Sequence, residues 1–481
     1  MLKKLIQRNF LRNFTSKYFS STLNYNITET DVLIIGGGVP GFSLATALTK
    51  SEYFQDQKYK KILMIDSQEL KLSNYQHSNN RIPDIRVVTL IPSSVRFLKS
   101  IDLWQNLDKK LIKEIKHMQI YESIGSSYVH IDNFDLRSLS TFNDFFPSIN
   151  NLIQDDNLCY TVEINLLLNG FYELMKKNNK YIDTIKMNLT KDNISIENSL
   201  NYVDFHIHSE KRTIRSKLLV ASDGVKSTIR NKLNIPTYGY DYNETGLICT
   251  VRGVNSGNIA YQRFLHNGIF ALLPLYDDLY SIVCSMPVNI NENINKLSDE
   301  EFVNFVNRLL HDPSEIDFSQ LDRLFTYNKF SSPPIINELV SKRLQYPLSL
   351  QYAKNSVHEN CVLIGDANHV IHPMAGQGLN LGISDSAMLA DIIVKNLISG
   401  KKINDSRSLS EFESFAYKNT KSMMFILEML KNSFAIKNPV FSAFRNYGMS
   451  ILNSNSHLRS ACTLFASGNV FTSNEKYSWE E

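Results

Sequence analysis

Cysteine is scarce: there are five in 481 residues (positions 159, 249, 284, 361 and 462), an odd number with no CxxC pair. That pattern excludes a disulfide framework and a cysteine zinc site, and it suits a reducing compartment. No apolar run approaches the ~18 residues that a helix needs to cross a bilayer, so the chain is read as soluble or peripheral. A surplus of charge is missing too. The formal net charge is +3, and five cations (Lys3, Lys4, Arg8, Arg12, Lys17) fall in the first 22 residues, so the remainder carries −2. This balance gives no reason to expect nucleic-acid binding. Repeats at solenoid spacing are absent, and Asn-rich runs such as "NINENINK" read as loop composition.

The N-terminus, "MLKKLIQRNFLRNFTSKYFSSTLNYNIT", is basic, hydroxyl-rich and free of acids up to Glu29, with Leu2, Ile6, Phe10 and Phe14 spaced by four. This composition matches a mitochondrial transit peptide over residues 1–22. Further on, the front of the chain reads β-α-β: "DVLIIG" and "KKILMID" as buried strands, and between them a helix with Leu44, Ala45 and Leu48 on one face. Residues 112–135 and 180–220 alternate in strand-like segments. More strands follow from 240 to 350, a helix is predicted near 299–311, and the chain turns helical after Gly378 to about 465. The order implies an α/β fold with an interleaved, mainly antiparallel second domain and a C-terminal helical region.

Two glycine-rich turns carry the chemistry. "VLIIGGGVPG" places Gly36, Gly38 and Gly41 in a GxGxxG turn between a strand and a helix, a geometry that brings backbone N–H groups to a pyrophosphate. Asp66 ends the second strand, where a carboxylate meets an adenosine ribose. Its distance of 30 residues from Gly36 exceeds the common ~20 because of the loop "SEYFQDQKYKK". "LLVASDGVKSTIR" adds Asp223-Gly224, which by composition alone is any strand-to-helix turn. The second glycine turn follows the strand "CVLIGD": Gly365-Asp366, then "HPMAGQGLNLG" opening a helix whose Leu379, Ile383, Ala387, Ala390 and Val394 recur at three and four. A carboxylate there suits a polyol, and a glycine-rich helix start suits an electron-rich group such as a flavin carbonyl. Two turns holding the two ends of one dinucleotide would account for both. His369 and His372 form HxxH, but no further ligand stands at metal spacing and Pro373 breaks the helix, so no metal is expected.

Together these motifs resemble the flavoprotein aromatic hydroxylases of the p-hydroxybenzoate hydroxylase type, and within them the ubiquinone-biosynthesis monooxygenases with their mitochondrial members. The resemblance runs from about residue 31 to 468 and rests on GxGxxG at 36–41, the DG motif at 223–224 and GDxxHxxxPxxGQGxNxG at 365–382, with support from 86–104, 261–275 and "ASG" at 466–468. It implies a Rossmann-like FAD-binding domain (31–111, 151–235 and 355–400), an interleaved substrate domain (112–150 and 236–354) and a C-terminal helical region (401–481). It further implies that Gly36, Gly38 and Gly41 hold the FAD pyrophosphate, Asp66 the ribose, Arg86 the linker and Asp366 the ribityl chain. Gly376, Gln377, Gly378, Leu379 and Asn380 would lie along the isoalloxazine edge, with Pro373 near its reacting face and Gly365, Asp223 and Gly224 also binding or supporting the cofactor; Pro373, Gly376 and Gln377 are the candidates nearest the chemistry.

The reaction so implied is ring hydroxylation, using FAD and O2, of a polyprenyl-4-hydroxybenzoate or related polyprenyl phenol at the fifth ring carbon, in ubiquinone synthesis. No second GxGxxG occurs, so electrons come from transient NAD(P)H or from another protein, for the mitochondrial family a ferredoxin and its reductase. The implied setting is a coenzyme Q biosynthetic complex, peripheral on the matrix side of the mitochondrial inner membrane. The Met- and Phe-rich segment 421–452 is read as core packing or as membrane docking. Alternatives are a hydroxylase of a soluble phenol and a non-catalytic member of the complex. The chain departs from the family pattern at Asp66 (commonly Glu), Asn368 (commonly small), Ile164 in "VEN", and Ile269, where a proline before "ALLPL" is lost.

Overall fold

Strand β1 (Asn26–Ile35) is buried on both faces from Asp31 onward, as a strand central to a parallel sheet must be. It leads into helix α1 (Val39–Leu48), whose first turn carries Pro40, where a missing N–H costs nothing. Strand β2 (Ile62–Asp66) then pairs parallel to β1. This computed structural model describes residues 26–55, 61–68, 81–123, 127–132, 157–177, 180–254, 257–312, 330–466 and 476–480. Residues 1–22, read above as a transit peptide, and residues 467–468 of the "ASG" motif lie outside them.

The first sheet has the order 357–358, 361–363, 212–221, β1, β2, 182–186, with the hairpin 194–198/203–207 attached to 212–221. Alternation along β1 sends Val32 and Ile34 to one face and Leu33 and Ile35 to the other. The first pair packs with α1 and the helix Ile164–Lys177, the second with Ile194, Phe205 and Ile214. Contrary to the single apolar face expected of α1, every residue of it except Pro40 is buried, because helices pack over it as well as the sheet.

The second sheet is antiparallel at all but one of its pairings, in the order 369–370, 344–353, β3 (Thr237–Val254), 279–287, 268–274, 259–265, 117–122, 128–132, with 335–339 also on β3. The exception is 259–265 beside 117–122, which are parallel. The helix Asp299–His311 starts at a capping box of Ser298 and Glu301 and lays Phe302, Val306 and Leu310 on this sheet. A three-stranded sheet (87–90, 159–163, 113–115) stands beside the two large ones.

Three long helices follow: α2 (Gln377–Ile398), α3 (Ser406–Ala435) and α4 (Pro439–Ser454). Segment 421–452 therefore has two faces. Met423, Met424 and Leu427 pack with Phe264, Ile269, Leu350 and Met374, whereas Phe425, Met429, Val440, Phe444 and Tyr447 are exposed. The helical end is pinned to the second sheet by Arg445. Its guanidinium meets the Glu122 carboxylate with both side chains buried, and Asn446 donates to the same carboxylate at 2.6 Å.

Candidate active site

The two glycine turns, more than 300 residues apart in sequence, meet at Pro40. A Cβ on Gly365 would stand 3.1 Å from Pro40 Cγ and one on Gly382 2.9 Å from it. Only glycine at these positions lets the start of α1 wedge between the strand-end turn and α2. Ser386 Oγ on α2 donates to Pro40 O at 2.9 Å and fixes the wedge. The DG motif joins them: Ser222 N donates to Ile35 O, and a Cβ on Gly36 (φ +108°) would fall 2.2 Å from Ser222 O.

The glycines divide by role. Gly36 and Gly41 are packed against backbone, the Gly41 position being 2.1 Å from Gly36 O. By contrast a Cβ on Gly38 would meet only Pro40 Cδ at 3.8 Å, one on Gly378 only Ile371 Cγ1 at 3.9 Å, and one on Gly224 nothing within 4 Å. Open space therefore borders the backbone at the start of both helices. Neither α1 nor α2 has a side-chain cap or an acidic residue in its first turn, so the positive end of each helix dipole is available to an anion. This is the cradle that a flavin dinucleotide needs, and the residues fit it.

The carboxylates are placed accordingly. Asp66 accepts from Gly37 N and from Gln68 N, each at 2.6 Å, and a carboxylate with about four lone-pair sites keeps capacity for a hydroxyl. Asp366 is solvent-exposed, yet surrounding protein desolvates it and pushes its carboxyl above the ordinary range, with nearby His369 opposing. Exposure together with desolvation describes a carboxylate facing into a crevice. Asp223 is engaged otherwise: it accepts from Ser227 Oγ at 2.5 Å and from Thr228 N and Ile229 N, so it ties down the short helix Thr228–Lys232. Burial pushes its carboxyl up, against these bonds.

The far end of the second turn is equally determined. Gly376 is left-handed (φ +61°), and Asn380 locks it to strand 87–90 by donating to Thr89 O and Gly376 O and accepting from Ile91 N and Ser94 Oγ. Asn380 is thus a brace whose polar atoms bond protein. Gln377 is buried, Leu379 packs on the core under the first sheet, and Pro373 is half-buried. Arg86 is half-exposed and turns to Asn165 Oδ1 at 2.9 Å and to Asp84. The two histidines of HxxH take different partners: His369 pairs with Asp385 at 2.8 Å, His372 with Glu244 at 3.4 Å. Burial opposes a charge on His369, and Asp385 outweighs it, holding the imidazole above its ordinary pKa.

Sequence patterns gave no role to several of these braces. Arg230 crosses from the DG motif to Ala367 O at 2.8 Å, and Asp385 holds Gly365 N at 3.0 Å. Glu163 is buried among Arg81, Asp84 N and Tyr276, which joins segment 81–84 to both smaller and larger sheets. Each contact spans tens of residues, so local spacing carries no trace of it.

Residues 197–404 match the FAD binding domain family and residues 338–474 the squalene epoxidase family. The mitochondrial ubiquinone biosynthesis monooxygenase of Dictyostelium discoideum is 27% identical over 95% of this chain and 96% of its own length. The human protein of that name is 26% identical over 92% and 93%. Among solved structures, p-nitrophenol 4-monooxygenase from Pseudomonas putida superposes with a TM-score of 0.63 at 16% identity, covering 92% of this chain and 98% of that one. A Klebsiella pneumoniae HpxO variant complexed with FAD gives 0.60 at 13% identity, over 91% and 99%. These structural likenesses establish the fold.

Proposed function

We infer, from the premise that this chain belongs with the ubiquinone-biosynthesis flavin monooxygenases it matches along nearly its whole length, that it is an FAD-dependent aromatic hydroxylase acting on a polyprenyl-4-hydroxybenzoate or related polyprenyl phenol. The observation that carries the reading is the meeting of two open glycine cradles at Pro40. FAD, when bound, supplies activation of O2 toward an electron-rich ring. The protein's part is placement. Gly38 and the start of α1 receive the pyrophosphate, and Asp66 and Asp366 offer acceptors to the two polyol segments. Gly378 and the positive end of α2 favour the charge that a reduced flavin carries. The apolar cluster of Phe264, Ile269, Met374 and Leu381, which Met374 joins to the turn after Pro373, would keep water from a ring bound there.

The finer reading is hydroxylation at the fifth ring carbon, with electrons from a ferredoxin and its reductase, within a coenzyme Q biosynthetic complex on the matrix face of the inner membrane. No helix of the described residues is long and apolar enough to cross a membrane. The exposed Phe425, Met429, Val440, Phe441 and Phe444, with Lys437 at the α3–α4 junction, supply a face for docking on an anionic bilayer.

The test begins with the chain from residue 23. It should purify yellow and release FAD on heating, and with ferredoxin, its reductase and a prenylated 4-hydroxybenzoate it should yield a product heavier by one oxygen. A colourless chain that stays so with added FAD refutes the reading. Rapid bleaching by NADPH alone refutes the ferredoxin step. Flotation with cardiolipin-containing liposomes that survives Phe425→Ser/Val440→Ser/Phe444→Ser refutes the docking face.

A further inference from the structure

Beside the half-buried Pro373, the second histidine of HxxH has a fully buried side chain with both ring nitrogens engaged. His372 Nδ1 accepts from Met374 N at 3.2 Å, so this ring carries its proton on Nε2, which faces Glu244 Oε2 at 3.4 Å. The bond to Met374 N closes the turn that leads through Gly376 into α2, the segment carrying Pro373, Gly376 and Gln377. Glu244 accepts from Lys431 Nζ of α3 at 2.8 Å through its other oxygen. The Lys431 ammonium lies 4.0 Å from the Tyr242 ring centre, and Tyr242 sets its ring at 85° to His372, 5.1 Å between centres. Tyr240 and Tyr242 both donate to Glu428, one turn before Lys431.

The backbone of β3 is shaped to make this possible. Its pairing with 344–353 steps from Asp241–Ser349 directly to Glu244–Leu348, leaving Tyr242 and Asn243 as a bulge with Asn243 left-handed at φ +54°. Bulges re-aim side chains, and they concentrate beside active sites. Burial works against the Glu244 charge, yet the bonds from His372 and Lys431 outweigh it and hold the carboxyl below its ordinary range.

We propose that His372 is a positioning residue for the flavin-side turn, set in place by Glu244 and, through Lys431, by the C-terminal helix α3. The inference rests on the flavoprotein reading above. It makes α3 a brace of the cofactor site as well as the carrier of an exposed apolar face.

The test compares four variants of the full chain for FAD affinity, by titrating apoprotein and following flavin fluorescence, and for the apoprotein's urea midpoint. In His372→Asn the side-chain oxygen stands near the former Nδ1 and still accepts from Met374 N, so FAD should bind within threefold of the parent. His372→Gln reaches Glu244 but abandons that acceptor, and with His372→Ala it should weaken FAD about tenfold or more, the loss of a buried donor's partner. Lys431→Met should weaken FAD by about threefold, and it serves where a residue-372 variant fails to fold. An unaltered FAD affinity in His372→Ala, a midpoint that falls while FAD affinity holds, or an Asn variant no better than Ala overturns the inference. If the parent itself binds no FAD, the flavoprotein reading fails first, which separates the two.

Discussion

Replacing Gly376 by Ala tests the geometry of the second glycine turn most directly. The residue is left-handed at φ +61° and ψ 28°, and an L-residue there costs about 1–2 kcal/mol. The added Cβ would lie 2.1 Å from Thr89 Oγ1, far inside contact distance. Because Asn380 bonds Thr89 O and Gly376 O, neither strand 87–90 nor the turn can withdraw freely, and overpacking of this kind costs about 1–3 kcal/mol. Gly376→Ala should therefore destabilise the apoprotein by about 2–5 kcal/mol. Thr89→Ala removes the obstructing oxygen, so the double variant should recover the steric part and retain only the backbone part. Thr89→Ser keeps the oxygen and should recover nothing. The assay is urea unfolding of all four combinations, read as a double-mutant cycle at a common slope. A coupling near zero, or a Gly376→Ala midpoint equal to the parent's, would refute the reasoning.

Gly38→Ala and Gly41→Ala should separate cofactor binding from folding. The first should leave apoprotein stability within about 1 kcal/mol while FAD affinity drops at least tenfold. The second, driven onto Gly36 O, should prevent folding, as expression and urea unfolding will report. For His369 the folded pKa lies above the ordinary 6.5, so the stabilisation from Asp385 is complete below 6.5 and is lost as pH rises through the folded pKa. Asp385→Asn should abolish this pH dependence of the urea midpoint; a slope that persists would assign it elsewhere. Arg445→Met leaves Glu122 buried without its cation and should cost about 3–5 kcal/mol. Glu122 already titrates above its ordinary range because burial outweighs its bonds to Arg445 and Asn446. The variant should therefore lose least at acid pH, where the carboxyl is neutral.

Much of the fold is legible in short windows of sequence. The β-α-β front, the helix at 299–311 and the helical end appear where periodicity and glycine placement predict them. In those elements local propensity and tertiary environment agree. The site is legible in part. Which glycines face open space and which face protein depends on Pro40 beside Gly365 and Gly382, Ser222 beside Gly36 and Gly41, and Thr89 beside Gly376, each remote in sequence from the glycine it constrains. Asp223 and Asn380 carry family-like positions, yet in the structure their side chains bond protein donors and acceptors. Burial of α1 on every side was not readable because small residues such as Ala45 and Ala47 do not announce a second helix packed over them. The bulge at 241–244 escaped because an extra pair of residues in a strand leaves the alternation of "YGYDYNETG" looking regular.

The wedge of Pro40 between Gly365 and Gly382 bears on how the molecule is made. A ribosome delivers the first of these residues more than 300 residues before the last. Until residues 361–398 emerge, strand 212–221 lacks one parallel neighbour and α1 lacks one of the two helices that bury it. The nascent N-terminal half thus presents a glycine turn with no opposing wall and an apolar helix covered by Ile164–Lys177 but open on the side that α2 later takes. Closing so distant a contact is slow, and such a half-built chain invites aggregation. A chain interrupted anywhere between α1 and α2 would have all of GxGxxG and lack the second glycine turn that faces it. Late completion of the paired glycine turns is the expected consequence of this one contact.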